Sequence, residues 1–295
     1  MFIYWNKESV QRSAVSFQRQ QAIRYSLKFN EMRHKLNETG QKINLRIEGE
    51  TIDDLLWGQL KILQKKRGYR FSIDSLLLTH FVQLKGDDSV IDLGTGSGVI
   101  LLVLSHRFHC GKMVGVEIQD ELADMARRSV KMNNLESRIE IVSGDIGEVE
   151  SLFVPQSFSA VVFNPPYRRL NSGRINPDPE KAVARHEIKG TIRDFLLSAK
   201  YLVKEAGSVY LIYPAVRMVE LLFRMRTCGI EPKRLRMVYS SCFSEGEFLL
   251  VEGKKGGGEE LKVLPPLFIY QENDGYTEEM ETIFKEISAS PSFSS

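Results

Sequence analysis

Cysteine is scarce in this chain: Cys110, Cys228 and Cys242 are the three among 295 residues. They are far apart and form no C-x-x-C pair, which argues against a disulfide framework and against a zinc site. They read as small buried hydrophobes in a reducing cytoplasm. Apolar runs of membrane-spanning length are lacking too. The opening MFIYWNKESVQR holds no apolar core long enough for a signal peptide. Charge of one sign is also missing: 40 Lys and Arg stand against 38 Asp and Glu, a formal net charge of +2. Net charge therefore announces no nucleic-acid binder, and only the distribution of charge can. Hydrophobic residues at 42% and charged residues at 26% describe an ordinary globular chain. Its length allows one large α/β domain with extensions, or two smaller domains.

Residues 1–43 differ in composition from the rest. Arg12, Arg19, Arg24, Lys28, Arg33 and Lys35 are spread through a Gln-, Ser- and Asn-rich stretch with a thin apolar stripe. This predicts a basic extension, disordered or folded on binding. Residues 44–288 are expected to form the folded domain, with 44–85 as an N-terminal segment, 86–288 as the core and 289–295 as a tail. In the N-terminal segment, Thr51–Leu56 suggests a helix start or turn. Leu60–Gln64 reads as a short strand, and Ile73–Leu84 as a helix with Leu76, Leu77 and Phe81 facing inward.

From residue 86 strands and helices alternate. Ser89–Leu93, Met113–Glu117, Arg138–Val142, Phe158–Phe163 and Ser208–Ile212 read as strands. Val99–Phe108, Glu121–Met132, Phe195–Leu202 and Val216–Cys228 read as helices, the third opened by a Thr191/Asp194 capping box. Arg234–Tyr239 and Phe248–Gly253 are late strands, and Gly256-Gly257-Gly258 marks a tight turn. Such alternation predicts an α/β fold with a doubly wound, mostly parallel sheet.

Asp92-Leu93-Gly94-Thr95-Gly96-Ser97-Gly98 follows the first core strand and opens a helix. Glycines there let the backbone approach a ligand and let the helix pack on the sheet. A glycine turn alone is weak, because dinucleotide enzymes also carry one. The spacing here is G-x-G-x-G, tighter than a pyrophosphate loop, and Asp92 beside it would repel a pyrophosphate. The same anion suits a ligand carrying a sulfonium and an ammonium, as S-adenosylmethionine does. Glu117, ending the next strand, is placed to accept two ribose hydroxyl protons. Asp145, after the third strand, is placed to meet an adenine amino group. Gly94, Thr95, Gly96 and Gly98 complete this candidate cofactor site, and each acid taken singly would read as a common turn residue.

Asn164-Pro165-Pro166-Tyr167 ends the fourth core strand. As a plain motif it is a proline-stiffened loop. Its chemistry suits an exocyclic amine, whose lone pair is delocalised and weakly nucleophilic. The Asn164 side-chain oxygen and the Pro165 carbonyl can accept the two amine protons and aim the lone pair at a methyl group, a matter of positioning and electrostatics. Asn164 thus belongs to both the catalytic and the cofactor sets. Tyr167 offers a flat ring for a base, worth about 1–3 kcal/mol in comparable sites. A basic excursion follows, with Arg168, Arg169, Arg174, Lys181, Arg185, His186 and Lys189. It is long for such a fold and suits phosphates. Arg168, Arg169, Arg185 and His186 are the candidate substrate contacts beside Tyr167.

At these residues the chain resembles the Rossmann-like class I amino methyltransferases, which carry the same pairing of Asp-Leu-Gly-Thr-Gly-Ser-Gly with Asn-Pro-Pro-Tyr. Tyr69–Leu78, Ala184-Arg185-His186-Glu187, Pro265-Pro266-Leu267 and Tyr276-Thr277 narrow it. Together these stretches resemble the bacterial tRNA (adenine-N6)-methyltransferase family over residues 44 to 288. The resemblance implies a seven-stranded sheet with a reversed last strand, and that Phe71 and Asp74 border the cofactor pocket. It implies transfer of a methyl group to an adenine next to the anticodon of a valine tRNA; separately, the chain is expected to be a cytoplasmic monomer without metal or membrane. An unpaired anticodon-loop adenine is cheap to splay into a pocket. Two other substrates fit the same loop: a glutamine amide of a release factor, or an adenine of rRNA or DNA. Glutamine-directed relatives carry an N-terminal helical bundle, and the region before residue 86 is short and basic for one. A non-catalytic RNA-binding protein would need neither motif.

Overall fold

A computed structural model describes residues 46–67, 70–166, 190–272 and 275–289. The compact unit begins at Glu48. The basic N-terminal extension predicted over 1–43 lies outside the described residues.

The chain opens with an antiparallel hairpin, β1 (Glu50–Leu55) and β2 (Leu60–Lys65). The expectation of a helix start or turn at Thr51–Leu56 is corrected here. The pair Asp53-Asp54 looks like a helix N-terminus locally, but pairing with β2 takes the whole segment into a ladder, a tertiary override of local preference. At the tip, Leu56 (φ 51°) and Trp57 (φ 54°) both lie in the left-handed region. The hairpin continues into α1 (Ile73–Phe81). That helix ends before the predicted Leu84, with Val82 already extended and buried against the core. Leu77 and Phe81 face inward as predicted. Leu76 is half-buried, and Leu78 is the fully buried neighbour.

The core follows as β3 (Val90–Leu93), α2 (Val99–Arg107), β4 (Met113–Glu117), α3 (Asp120–Met132) and β5 (Ile139–Ser143). Then come a short turn of helix α4 (Val149–Leu152), β6 (Phe158–Phe163), α5 (Ile192–Leu202), β7 (Val203–Pro214) and α6 (Met218–Thr227). The chain closes with β8 (Ile230–Tyr239), β9 (Gly246–Lys255), the two-residue strands β10 (Lys262–Val263) and β11 (Leu267–Phe268), and α7 (Glu278–Ser288).

The large sheet has the order β10-β8-β9-β7-β6-β3-β4-β5, with β11 also on β8. Strands β3 to β7 are parallel, and β9 runs antiparallel to both β7 and β8. The expected seven strands with a reversed last member are therefore present, and β10 and β11 extend the β8 edge. Those two strands and α7 were not foreseen. Pro265-Pro266-Leu267 and Tyr276-Thr277 build this edge: Leu267 pairs with Val238, and the Thr277 hydroxyl caps α7 by accepting the Met280 amide at 3.2 Å.

Central strand β3 is buried along its whole length, as a strand covered on both faces must be. Alternation puts Val90 and Asp92 on the face covered by α1 and α2, and Ile91 and Leu93 on the face covered by α5. Helix α3 buries Leu122, Ala123, Met125, Ala126, Ser129 and Val130, a stripe at helical spacing. The hairpin is clamped to that helix. Arg128 grips Glu50 through two bonds of 2.6 Å, and the Asn133 side chain bonds both the amide and the carbonyl of Lys61. Helix α5 opens with the predicted Thr191/Asp194 capping box. Cys110 and Cys228 are buried as expected, whereas Cys242 is exposed in the β8–β9 loop.

Candidate active site

The chain runs from β3 out to β4 and β5, then returns past β3 to β6. The order reverses between β3 and β6, and it is at the carboxyl ends of the strands beside such a reversal that sheets of this kind form their ligand-binding crevice. The glycine turn leaves β3 on one side of it, and Asn164 leaves β6 on the other.

Gly94, Gly96 and Gly98 have φ of 74°, 57° and 87°, a left-handed series that side chains would strain. The turn is fastened to β4: the Gly94 and Thr95 amides both donate to the Val116 carbonyl, at 2.8 and 3.0 Å. Glu117 holds it from the next position. Its Oε2 accepts the Gly96 amide at 2.9 Å, and its Oε1 accepts the Gln119 amide at 3.0 Å. Burial pushes the Glu117 carboxyl up, and the Gln119 and Gly96 amides pull it back. A backbone-holding role for this acid was not legible in the sequence.

Asp92 is fully buried, and neither of its carboxylate oxygens has a hydrogen-bond partner. Burial raises its pKa to about 7. The nearby Thr95 hydroxyl offsets part of this without satisfying either oxygen, and repulsion from Glu117 adds to it. The hydroxyls of Thr95 and Ser97 are likewise buried and unsatisfied. Unsatisfied buried polar atoms are costly, and four of them in one turn call for a ligand. Ser97 was missing from the sequence-based site, although a hydroxyl between two glycines of the turn is the signal that could have found it. A cationic group is what an isolated buried carboxylate takes best, so the turn fits S-adenosylmethionine.

Asp145 follows β5 and is half-buried. Its Oδ1 accepts the Gly147 amide at 2.8 Å and starts a short helical turn. Phe71 is half-buried, and its amide donates to the buried Gln64 side chain at 3.1 Å. Gln64 in turn donates to Asp53, which also takes an ion pair from Arg70. The base of the hairpin thus fixes the entry to α1.

Asp74 and Asn164 come together across the crevice. The Asn164 Nδ2 donates to Asp74 Oδ2 at 3.1 Å and to Ser75 Oγ at 3.2 Å. Asp74 Oδ1 accepts the Ser75 amide at 2.9 Å and the Ser72 hydroxyl. Asp92 pairs in register with Val162, two residues before Asn164, so both side chains lie on the sheet face under α1. Pro165 is buried and Pro166 exposed. Tyr167, Arg168, Arg169, Arg185 and His186 lie outside the described residues. Among the described residues no group of three His, Cys, Asp or Glu could hold a metal ion, and no helix is long and apolar enough to cross a membrane.

Residues 71–177, from Phe71 through the Asn-Pro-Pro-Tyr loop, match the Methyltransferase small domain family. A predicted O-methyltransferase from Agrobacterium tumefaciens, known by its crystal structure, shares the fold. Its TM-score is 0.60 at 20% identity, over 73% of this chain and 97% of that one. The fold is that of a class I methyltransferase. By sequence the chain is similar to bacterial proteins named as tRNA (adenine-N6)-methyltransferases. It is 34% identical, over 55% of its length, to a Porphyromonas gingivalis protein named tRNA1(Val) (adenine(37)-N6)-methyltransferase. It is 28% identical, over 59% of its length, to a protein of the same name from Bacteroides thetaiotaomicron. The chain spans 64% of the Porphyromonas gingivalis relative, just under two thirds, and 70% of the Bacteroides one.

Proposed function

We propose that this protein transfers a methyl group from S-adenosylmethionine to the exocyclic amino group of an adenine in tRNA. The observation that carries the reading is the pair of end groups at the crevice. A buried carboxylate without a partner (Asp92) and an amide held by its nitrogen (Asn164) lie on one sheet face, two residues apart in register. The first suits a cation and the second an amine.

When bound, the cofactor supplies an activated methyl group on a sulfonium. The residues of the chain bind and orient. Asp92 takes the cationic end, Glu117 the ribose hydroxyls with the lone pairs its two backbone contacts leave, and Asp145 the adenine amino group. Thr95 and Ser97 offer hydroxyls from the turn, and Phe71 borders the pocket. Asn164 and the Pro165 carbonyl accept the protons of the target amine, drawing its lone pair out of conjugation. Pro166 stiffens this corner, and after transfer the methylated nitrogen releases its extra proton to solvent. Tyr167 stacks the target base, and Arg168, Arg169, Arg185 and His186 take up phosphates. The substrate assignment is supported by the names of the relatives and by the basic charge of the loop after Tyr167.

Labelled cofactor offered with bulk tRNA, total rRNA and a release factor tests this, with products read by nucleoside and peptide mass spectrometry. Label in N6-methyladenosine from tRNA is expected. Label in a glutamine of the release factor, or in rRNA alone, overturns the tRNA assignment.

A further inference from the structure

We propose that Asp74 is a positioning residue that decides which end of the Asn164 amide faces the acceptor nitrogen. This rests on the amine-transfer reading of the site, though not on which amine is methylated.

A primary amide has two ends of nearly equal shape and opposite hydrogen-bonding sense. Methyl transfer to an amine needs the oxygen end at the substrate, because the amine brings protons to be accepted. The NH2 end there would meet the amine donor to donor. Nothing in Asn164 itself makes this choice, so a neighbour must. Its Nδ2 donates to Ser75 Oγ at 3.2 Å, but a hydroxyl can donate as readily as accept and would tolerate either orientation. Asp74 Oδ2, at 3.1 Å, can only accept while ionised, so it holds the nitrogen end. Asp74 is in turn oriented by its other oxygen, which accepts the Ser75 amide at 2.9 Å and the Ser72 hydroxyl. It is buried at the start of α1, whose entry is pinned by the Gln64 side chain on the Phe71 amide.

The two-oxygen division makes the idea testable by exchange. In Asp74→Asn, Oδ1 can keep its Ser72 and Ser75 bonds, which turns the new NH2 toward Asn164. Two NH2 groups then face each other, and Asn164 flips to present its nitrogen to the substrate. In Asn164→Asp, two carboxylates stand about 3 Å apart and repel. In the double variant Asp74→Asn with Asn164→Asp, an amide nitrogen again faces an acceptor, and an oxygen again faces the substrate.

Turnover and KM are measured for the full chain and these variants on whichever acceptor the wild type labels, be it tRNA or another. Melting curves accompany each variant. The expected result is a loss of roughly 100-fold in kcat for each single variant with KM nearly unchanged, and recovery in the double to within roughly tenfold of wild type. Wild-type kcat in Asp74→Asn, or a double variant no faster than the slower single, overturns the proposal. If the double variant does not fold, Asp74→Ala decides. Truncation removes the bias, whereas asparagine enforces the wrong orientation, so Asp74→Ala must be the faster of the two. Equal or inverted rates overturn the assignment. An acceptor other than tRNA leaves this result standing and overturns only the tRNA reading.

Discussion

The carboxylate of Glu117 accepts the amide of Gly96 at 2.9 Å, tying the middle of the glycine turn to the end of β4. One acid thereby shapes the turn, and in the proposed function it also contacts the cofactor. Replacing Glu117 by Gln keeps the shape but sets an NH2 against one of the two amides it now accepts. The variant should lose about 1–3 kcal/mol of stability without cofactor. It should also bind cofactor roughly tenfold more weakly, the equivalent of one such bond. Thermal melting and calorimetry check both. Weaker binding with an unchanged melting point would leave Glu117 as a ligand contact alone.

Asp92 makes a pH prediction. Its folded pKa of about 7 stands above the ordinary carboxylate value because of burial, so the folded state holds this proton more tightly than the unfolded chain. Asp92 therefore costs stability progressively as pH rises from about 4 to about 7, and costs it in full above that. Asp92→Asn should melt several degrees higher than wild type above pH 7 and at the same temperature near pH 4. Its affinity for S-adenosylmethionine should collapse. In the wild type, cofactor affinity should rise with pH up to about 7 and binding below that should release a proton, read by calorimetry in buffers of different ionisation enthalpy. A flat affinity profile, or a destabilised Asp92→Asn above pH 7, contradicts this role.

Gly115 supports the turn from below. A Cβ there would lie 2.8 Å from Thr95 Cγ2, 2.9 Å from Ile141 Cδ1 and 3.0 Å from Leu101 Cδ1. Gly115→Ala should cost about 1–3 kcal/mol by overpacking and displace Thr95 from its position in the turn. A lower melting point together with weaker cofactor binding is expected. An unchanged melting point would show that the three side chains can give way freely.

The capping box of α5 gives a purely structural control. Thr191→Ala removes the side-chain acceptor for the Asp194 amide and should cost roughly 1 kcal/mol. Chemical denaturation reads this, and cofactor affinity should stay at the wild-type value.

The central sheet was legible because its strands are short apolar runs stopped by glycine or by a chemically distinctive residue, as at Asp92-Leu93-Gly94 and Phe163-Asn164-Pro165. The β1 strand was not, since Thr51-Ile52-Asp53-Asp54 carries helix-start chemistry and becomes a strand only through its partner β2, the hairpin as a whole being held on α3 by Arg128 and Glu50. The two-residue strands depend on the β8 edge they pair with, and helix α7 on the α1 and α2 faces it packs against, which no local pattern marks. The types of the site residues were readable, but their partners were not. Asp74 lies 90 positions from Asn164, and Glu117 lies 21 from Gly96. Such pairs are set by the winding of the sheet rather than by spacing along the chain.

The most direct test of the central claim is single-turnover methyl transfer by Asn164→Ala, with cofactor binding measured on the same preparation by calorimetry. Loss of roughly 100-fold or more in transfer, with cofactor still bound, is the result predicted for an amide that accepts protons from the target amine. Transfer at the wild-type rate would contradict it.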